Sequence, residues 1–219
     1  MIEMRIAPEI AQGASTLVLG CVQATVRTEP GNDALWAEMQ EAARAAAADP
    51  TEPSARPPIA ATRELYRRLG KDPSRYRGSP EALLRRSRAG KELYRIHNVV
   101  DVINLVSLRT LLPIGLYDAA KLQPPATLRR GAPGETYDGI GKEQLNLDGL
   151  PVLADAAGPF GSPTSDSQRT MVTGSTHEVV AVVFGVTGRD ELEPAVEMLA
   201  GLLRRHCDAG EIGRWFVEK

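Results

Sequence analysis

The sequence predicts one domain of the α+β class, in which a mixed sheet is packed with helices. The chain has 219 residues, of which 42% are hydrophobic, and this is enough for one sizeable core. Two apolar runs rich in β-branched residues, 16–22 and 179–186, predict buried strands. Strand and helix patterns follow one another irregularly, without the regular β-α-β alternation of a doubly wound sheet. The expected parts of this single domain, 1–219, are an N-terminal strand and helix (1–59), a core segment (60–186) and a C-terminal helix and tail (187–219).

The sequence of the first part of the chain predicts one strand, or a bent pair of strands, followed by three helices. Residues 16–28 are β-rich, and Asn32 or Asp33 is a suitable cap for the Ala-rich helix that follows. Four prolines between 49 and 58 exclude a helix there, because proline removes a helical hydrogen bond. The expected helices span 31–48, 60–69 and 80–89.

The most apolar helix is predicted at 98–112, where valine and isoleucine recur at helical spacing until Pro113 stops the pattern. A strand is expected to leave it at 115–118. The glycines of 131–141 indicate a hairpin. The other expected elements are strands at 126–130 and 150–154, a small-residue loop at 156–164, a strand pair at 170–173 and 179–186, and a helix at 190–207.

The composition narrows the class of protein. The N-terminus lacks the pattern of a signal peptide, and the longest apolar runs are far too short to cross a bilayer. We therefore expect a soluble, cytoplasmic protein. Cys21 and Cys207 lie near opposite ends of the chain, so two buried, reduced thiols are favoured, while a disulfide between them stays open.

The charge of the chain is unevenly distributed. Residues 63–95 contain eleven Lys or Arg and four acids, a net charge of +7. The remainder contains fifteen bases and twenty-four acids, a net charge of −9. Such an asymmetry favours a partner with a phosphate backbone, although a solvated helical face would give the same pattern.

The sequence lacks the usual motifs of metal, cofactor and nucleophilic chemistry. The three histidines (97, 177 and 206) and the two cysteines have no metal-ligand spacing. There is no P-loop, no dinucleotide-binding fingerprint and no nucleophile elbow. We therefore predict a protein that needs no metal and no cofactor.

Four groups of polar residues interrupt the apolar pattern and are the candidates for a site. Each also has a structural interpretation: helix capping for the first group, and a turn for the Asp-Gly pair of the third. The groups are Asn98, Asp101, Asn104 and Ser107 on one face of the apolar helix; Tyr117 and Asp118 after it; Glu135, Tyr137 and Asp138 in the hairpin; and Asp166, Ser167, Arg169 and Thr170 before the last strand.

Two segments of the chain match a known pattern. HNVVDVINLVSLRTLLPIGLYDAAKL (97–122) is similar to a segment that reads NVVDVTNYV and continues with Pro-Met-His-Ala-Phe-Asp. GETYDGIGKEQLNLDGLPVLADAAGPFG (134–161) is similar to a pattern of Gly-Glu, Leu-Asp-Gly, Leu-Val-Ile-Ala-Asp and Ala-Gly-x-x-Gly. Both segments, in this order, resemble the B3/4 editing domain of the phenylalanyl-tRNA synthetase β-subunit in its free-standing form.

The resemblance implies hydrolysis of the ester bond of a mischarged aminoacyl-tRNA. In the synthetase, the domain removes tyrosine attached to phenylalanine tRNA. Free-standing relatives are proposed to edit in trans, and one of them clears canavanine from arginine tRNA. Asn104, Ala157 and Gly158 match the family's site, whereas its His and its Thr correspond to Gly115 and Ile103. The family's Glu on the last strand falls on Val182 or Val183.

The leading hypothesis is therefore a trans-editing aminoacyl-tRNA deacylase with canavanyl-tRNA(Arg) as the first substrate. A deacylase of another mischarged amino acid, such as Tyr on tRNA(Phe), a non-catalytic tRNA-binding module and a small-molecule hydrolase stay open. Nine residues are expected to converge on one cleft: Asn98, Asp101, Asn104, Tyr117, Asp118, Ala157, Gly158, Asp166 and Ser167. The expected catalytic residues are Asn104, Ala157, Gly158 and Ser167; the expected substrate-binding residues are Asn98, Asp101, Tyr117, Asp118, Glu135 and Asp166; and the acceptor arm of tRNA is expected to bind Arg85, Arg86 and Arg88.

Overall fold

The computed structural model describes residues 1–13, 16–141 and 144–218. In these ranges the chain forms six α-helices and ten strands. The helices are α1 (Pro8–Gly13), α2 (Asp33–Ala48), α3 (Pro57–Arg68), α4 (Ser79–Arg88), α5 (Asn98–Thr110) and α6 (Arg189–Cys207). The strands are β1 (Met4–Ile6), β2 (Val18–Thr25), β3 (Ile114–Asp118), β4 (Ala126–Arg130), β5 (Thr136–Asp138), β6 (Gln144–Asn146), β7 (Pro151–Asp155), β8 (Gly158–Gly161), β9 (Glu178–Gly185) and β10 (Gly210–Val217).

Two four-stranded sheets and a short ribbon contain these strands. The first sheet is antiparallel and has the order β10-β2-β9-β3. The second has the order β1-β4-β7-β8 and is mixed, because β1 pairs with β4 in parallel and the other pairs are antiparallel. Strands β5 and β6 form the ribbon. The prediction of an α+β fold with a mixed sheet is confirmed.

The first sheet is covered on both faces. Alternate residues of β9 point in opposite directions: Ala181 and Val183 join the core cluster of α2, α5 and α6. Val182 and Phe184 join the cluster of the second sheet. This double burial explains why β9 reads as a continuous apolar run rather than an alternating one.

The predicted helices agree with the structure within a few residues at each end. Asn32 caps α2, and its side chain accepts a hydrogen bond from the Leu35 N–H. Helix α5 ends at Thr110, three residues before the proline, because Leu111 adopts a left-handed conformation with φ of 59°. Cys21 and Cys207 are free and buried in different core clusters on opposite faces of the first sheet. In the described part of the chain, no helix is both long and apolar enough to cross a membrane.

Three local predictions are wrong. The strand expected at 170–173 is replaced by a 3₁₀ turn at Gln168–Thr170, which the Ser167 hydroxyl caps by accepting a hydrogen bond from the Arg169 N–H. The loop expected at 156–164 contains strand β8, which pairs with β7. The hairpin expected within 131–141 extends further, because β5 pairs with β6. Lys142 and Glu143, which belong to the second motif, lie outside the described residues.

Candidate functional site

Tyr117 lies in a slot between the two sheets. Its ring meets Phe160 edge-on, with the centroids 4.8 Å apart. The tip of the ring fits between Gly115 and Gly161, where a Cβ atom would lie 1.9 and 2.1 Å from the Tyr117 hydroxyl. The hydroxyl therefore occupies space that a side chain at Gly115, the position of the family's His, would need.

Asp166 accepts hydrogen bonds from the Tyr117 side chain and from the backbone of the same edge strand, β3. One carboxylate oxygen accepts a hydrogen bond from the Tyr117 hydroxyl at 3.0 Å, and the other accepts one from the Leu116 N–H at 3.1 Å. Burial, together with the charge of Asp166, raises the pKa of Tyr117 well above its usual value. The phenol therefore remains protonated and acts as a hydrogen-bond donor.

Asp118 follows on the same strand, and its carboxylate also has hydrogen-bond partners within the protein. Its carboxylate accepts hydrogen bonds from the Thr176 hydroxyl at 2.8 Å and the Ala120 N–H at 3.1 Å. The Lys121 ammonium lies 3.4 Å from it and also donates to the Met171 carbonyl. A cationic ligand at Asp118 would therefore compete with Lys121.

A bidentate ion pair between Asp155 and Arg169 was not assigned a role from the sequence. The guanidinium donates to both carboxylate oxygens, at 2.8 and 3.3 Å, and the Asp155 side chain has no exposed area. The same carboxylate accepts hydrogen bonds from the Gln123 and Ala157 N–H groups. Arg169 also donates to the carbonyls of Gly158 and Lys121. The pair thus joins β7, β8 and the segment before β9.

The turn between β7 and β8 holds the predicted catalytic residues Ala157 and Gly158. Ala157 is exposed, but its N–H already donates to Asp155, so in this arrangement it does not point at a substrate. Gly158 has φ of +114° and open space beside its Cα atom. Ser167 is buried, and its hydroxyl accepts the Arg169 N–H; it caps the 3₁₀ turn.

The structure therefore brings part of the predicted site together. Tyr117 and Asp166 bond to each other, and Asp118, Gly158 and Ser167 are connected through Lys121, Asp155 and Arg169. The two groups adjoin along the chain, at 117–118 and at 166–167. We call these eight residues the polar cluster. It lies where the end of β3, the β7–β8 turn and the 3₁₀ turn meet.

Asn98 lies apart from the polar cluster and holds the backbone in place. Its side-chain oxygen accepts a hydrogen bond from the Glu29 N–H, and its side-chain nitrogen donates to the carbonyls of Arg27 and His206. The residue is 2% exposed. These bonds join the start of α5 to β2 and α6, so no polar atom of Asn98 faces a cleft.

Asp101 also lies apart, because α5 packs on the face of the first sheet opposite to Tyr117. Its carboxylate accepts a hydrogen bond from the Ile96 N–H at 3.1 Å and packs against Gly31. Asp101 and Asp166 therefore do not share the expected cleft. Burial raises the pKa of Asp101 above its usual value, although the Ile96 bond and the charge of Arg95 oppose the shift.

We expect Asp101→Asn to remove a pH dependence of stability. A carboxyl with a raised pKa in the folded state ionises first in the unfolded state, so its contribution to stability is complete below about pH 4. That contribution is lost as the pH rises through the folded-state pKa. In urea unfolding between pH 4 and 7, the free energy of unfolding of the variant should increase relative to that of the wild type as the pH rises. The exposed Asp138→Asn is the control, and parallel profiles for Asp101→Asn and wild type would contradict the prediction.

Glu135 and Asn104 are not part of the polar cluster either. Glu135 forms a bidentate pair with Arg129 of β4 at 2.5 and 2.8 Å, and this pairing lowers the pKa of Glu135. Asn104 is half-buried on α5, and its side chain makes no hydrogen bond with any other described residue. It is therefore the one predicted catalytic side chain whose polar atoms are uncommitted within the described residues.

The three predicted tRNA-binding arginines differ in their surroundings. Arg85 donates to Glu81, which is buried, and also pairs with Glu52. Arg88 donates to the Thr51 carbonyl and lies 3.8 Å from Glu52. Arg86 donates to the Glu92 carbonyl and stacks over Tyr94. Arg85 and Arg88 thus hold α4 against the loop before α3, whereas Arg86 faces an exposed aromatic ring.

Two clefts lie on the helical side of the molecule. One, of about 230 Å³, is between α2 and the segment after α4. The other, of about 340 Å³, is between α2 and the C-terminal half of α5. Over the described ranges, no group of three or more His, Cys, Asp or Glu side chains is arranged to hold a metal ion.

Comparison with known proteins gives a family and a fold. No curated protein matches the chain. One similar structure is an N-terminal fragment of the phenylalanyl-tRNA synthetase β-subunit from Pyrococcus horikoshii, with a TM-score of 0.50 and 15% sequence identity. The alignment covers 99% of this chain and 50% of that one, so this chain spans about half the length of the fragment. The model of the B3/4 domain matches residues 61–208, and because this is well over half of the chain, the protein belongs to the B3/4 domain family.

Proposed function

We propose that the protein hydrolyses the ester bond that links an amino acid to tRNA. The observation that carries the proposal is the family match over 61–208, which includes the whole polar cluster and Asn104. The shared fold with a fragment of a tRNA synthetase subunit agrees with a tRNA partner. The proposal includes Asn104, whose side-chain amide is uncommitted within the described residues, as the residue that contacts the reacting group.

Hydrolysis of this ester requires few groups from the protein. A water oxygen bonds to the ester carbonyl carbon, the carbon–oxygen bond to the ribose breaks, and one of the water's protons passes to the ribose oxygen, which leaves as a hydroxyl. The protein has to orient the carbonyl and stabilise the oxyanion with hydrogen-bond donors. The Asn104 amide can donate such a bond. No protein nucleophile is required.

The substrate amino acid is the finer part of the proposal. Acidic side chains suit a guanidinium-like group such as that of canavanine. Asp118 and Asp166 are acids of the polar cluster, and both already accept hydrogen bonds from the protein. Asp101 and Glu135 lie outside the polar cluster, where they interact with the Ile96 N–H and with Arg129. Canavanyl-tRNA(Arg) and tyrosyl-tRNA(Phe) are therefore tested side by side.

The test is a panel of tRNAs charged with cognate and non-cognate amino acids. We expect release of free amino acid from at least one mischarged tRNA, and canavanyl-tRNA(Arg) is the first to try. Asn104→Ala should lower that rate at least about tenfold, because it removes a donor to the oxyanion. Its stability should change by less than about 0.5 kcal/mol, because the side chain has no bonded partner in the described structure. Absence of hydrolysis for every charged tRNA would overturn the proposal.

A second candidate is a tRNA-binding module without catalysis. The observation that favours it is the filled slot, in which the Tyr117 hydroxyl occupies the space beside Gly115. A pocket closed in this way would bind no amino acid between the sheets. Tight tRNA binding without release of amino acid from any charged tRNA would favour this candidate.

A further inference from the structure

The cleft between α2 and the segment after α4 has the chemistry of a nucleic-acid surface. Its apolar wall includes the half-buried Trp36 and the buried Leu93. Arg44 and Lys91 lie at its rim, and Glu92 is an acidic residue of the same lining. Trp36 is also approached by the guanidinium of Arg95, at 6.0 Å from the ring centre.

The two rim cations are available to a ligand. Arg44 and Lys91 are exposed, and neither side chain forms an ion pair or a hydrogen bond with another described residue. Most other bases of 63–95 are engaged: Arg63 with Glu81, Arg67 and Arg68 with Glu64, and Arg85 with Glu81. Arg44 and Lys91 therefore present two positive charges at this cleft that are unpaired within the described residues.

An exposed aromatic ring continues the cleft along the chain. Tyr94 is 63% exposed, and its neighbour Ile96 is 57% exposed. Arg86 covers one face of the Tyr94 ring, with its guanidinium carbon 4.0 Å from the ring centre, and donates to the Glu92 carbonyl. A rigid ring backed by a cation on one face is a good platform for a nucleobase on its free area.

We propose that the cleft and the Tyr94–Arg86 pair bind unpaired nucleotides of an RNA. Bases stack on Tyr94 and pack against the apolar wall at Trp36, while phosphates meet Arg44 and Lys91. Flat bases joined by phosphates match this alternation of aromatic surface and unpaired cations, and the charges are complementary. The inference relies on the proposed function only for the identity of the RNA as tRNA.

Fluorescence anisotropy with a short, labelled, single-stranded oligoribonucleotide tests the proposal. Tyr94→Ala should weaken binding about tenfold, because stacking of a base is lost, whereas Tyr94→Phe should retain it. Arg44→Gln and Lys91→Gln should each reduce the slope of log K against log salt by about 0.7, because each removes one phosphate contact. The matched control is Arg204→Gln, an exposed cation of α6 that makes no bond with the other described residues. It should leave the affinity unchanged within about twofold.

Three results would overturn the inference: wild-type affinity in Tyr94→Ala and Arg44→Gln, equal binding of a duplex of the same sequence, or self-association of the protein through this cleft in place of RNA binding. The outcome is separable from the proposed function. If the oligonucleotide behaves as expected and no charged tRNA is hydrolysed, the deacylase proposal fails and this inference stands. If charged tRNA is hydrolysed and the variants bind like wild type, the opposite holds.

Discussion

Replacing Asp155 by Ala is expected to lower the free energy of unfolding by about 3 kcal/mol. The carboxylate has no exposed area and is the acceptor for Arg169 and for the N–H groups of Gln123 and Ala157. Its removal leaves a guanidinium that is only 30% exposed without its ion-pair partner, and two backbone N–H groups lose their acceptor. The urea midpoint measures the loss.

Two companion variants make the prediction specific. Arg169→Met should destabilise the fold by a similar amount, since it leaves the buried carboxylate unpaired, and the double variant should cost clearly less than the two single variants together. Asp148→Ala breaks the more exposed pair with Lys71 and should cost less than about 1 kcal/mol. A loss below that value for Asp155→Ala would mean that the ion pair does not hold the β7–β8 turn.

The fold was predictable from the sequence where local signals agree. The apolar run of β9, the Asn32 cap of α2 and the valine stripe of α5 each predict the element that forms. The C-terminal strand β10 is predicted only as part of a tail, because its half-buried residues at a sheet edge lack a clear alternation. A strand is predicted at 170–173 because these residues are β-prone, whereas the structure has a 3₁₀ turn at Gln168–Thr170 and no regular element at 171–173.

The candidate site was predictable only in part, since its contacts join distant segments. Tyr117 and Asp166 are 49 residues apart, and nothing in either segment indicates the other. The helical spacing of Asn98 and Asp101 correctly predicts a shared face of α5. It does not indicate that this face meets the backbone of Glu29 and Gly31 rather than a cleft. Spacing determines direction within one element, whereas the partner depends on tertiary packing.

The second large effect is expected at Gly115, because a side chain there collides with a buried ring. A Cβ atom would lie 1.9 Å from the Tyr117 hydroxyl oxygen and 2.6 Å from Cζ. The ring cannot move away, since Gly161 faces the other side of its tip and the ring is fully buried. Gly115→Ala should therefore lower the free energy of unfolding by about 3 kcal/mol, the upper end for overpacking of a core.

A double-mutant cycle separates this collision from a general intolerance of Gly115 to substitution. In a Tyr117→Leu background the ring tip is absent, so Gly115→Ala should cost less than about 1 kcal/mol. Tyr117→Phe alone removes the hydroxyl that donates to Asp166 and should cost about 1.5–3 kcal/mol, but Gly115→Ala should still be harmful in that background, because the Cζ contact remains. Urea unfolding of the single and double variants gives the coupling energy. Equal costs of Gly115→Ala in the wild-type and Tyr117→Leu backgrounds would show that the tyrosine does not fill the slot, and would reopen the space between the sheets for an amino acid.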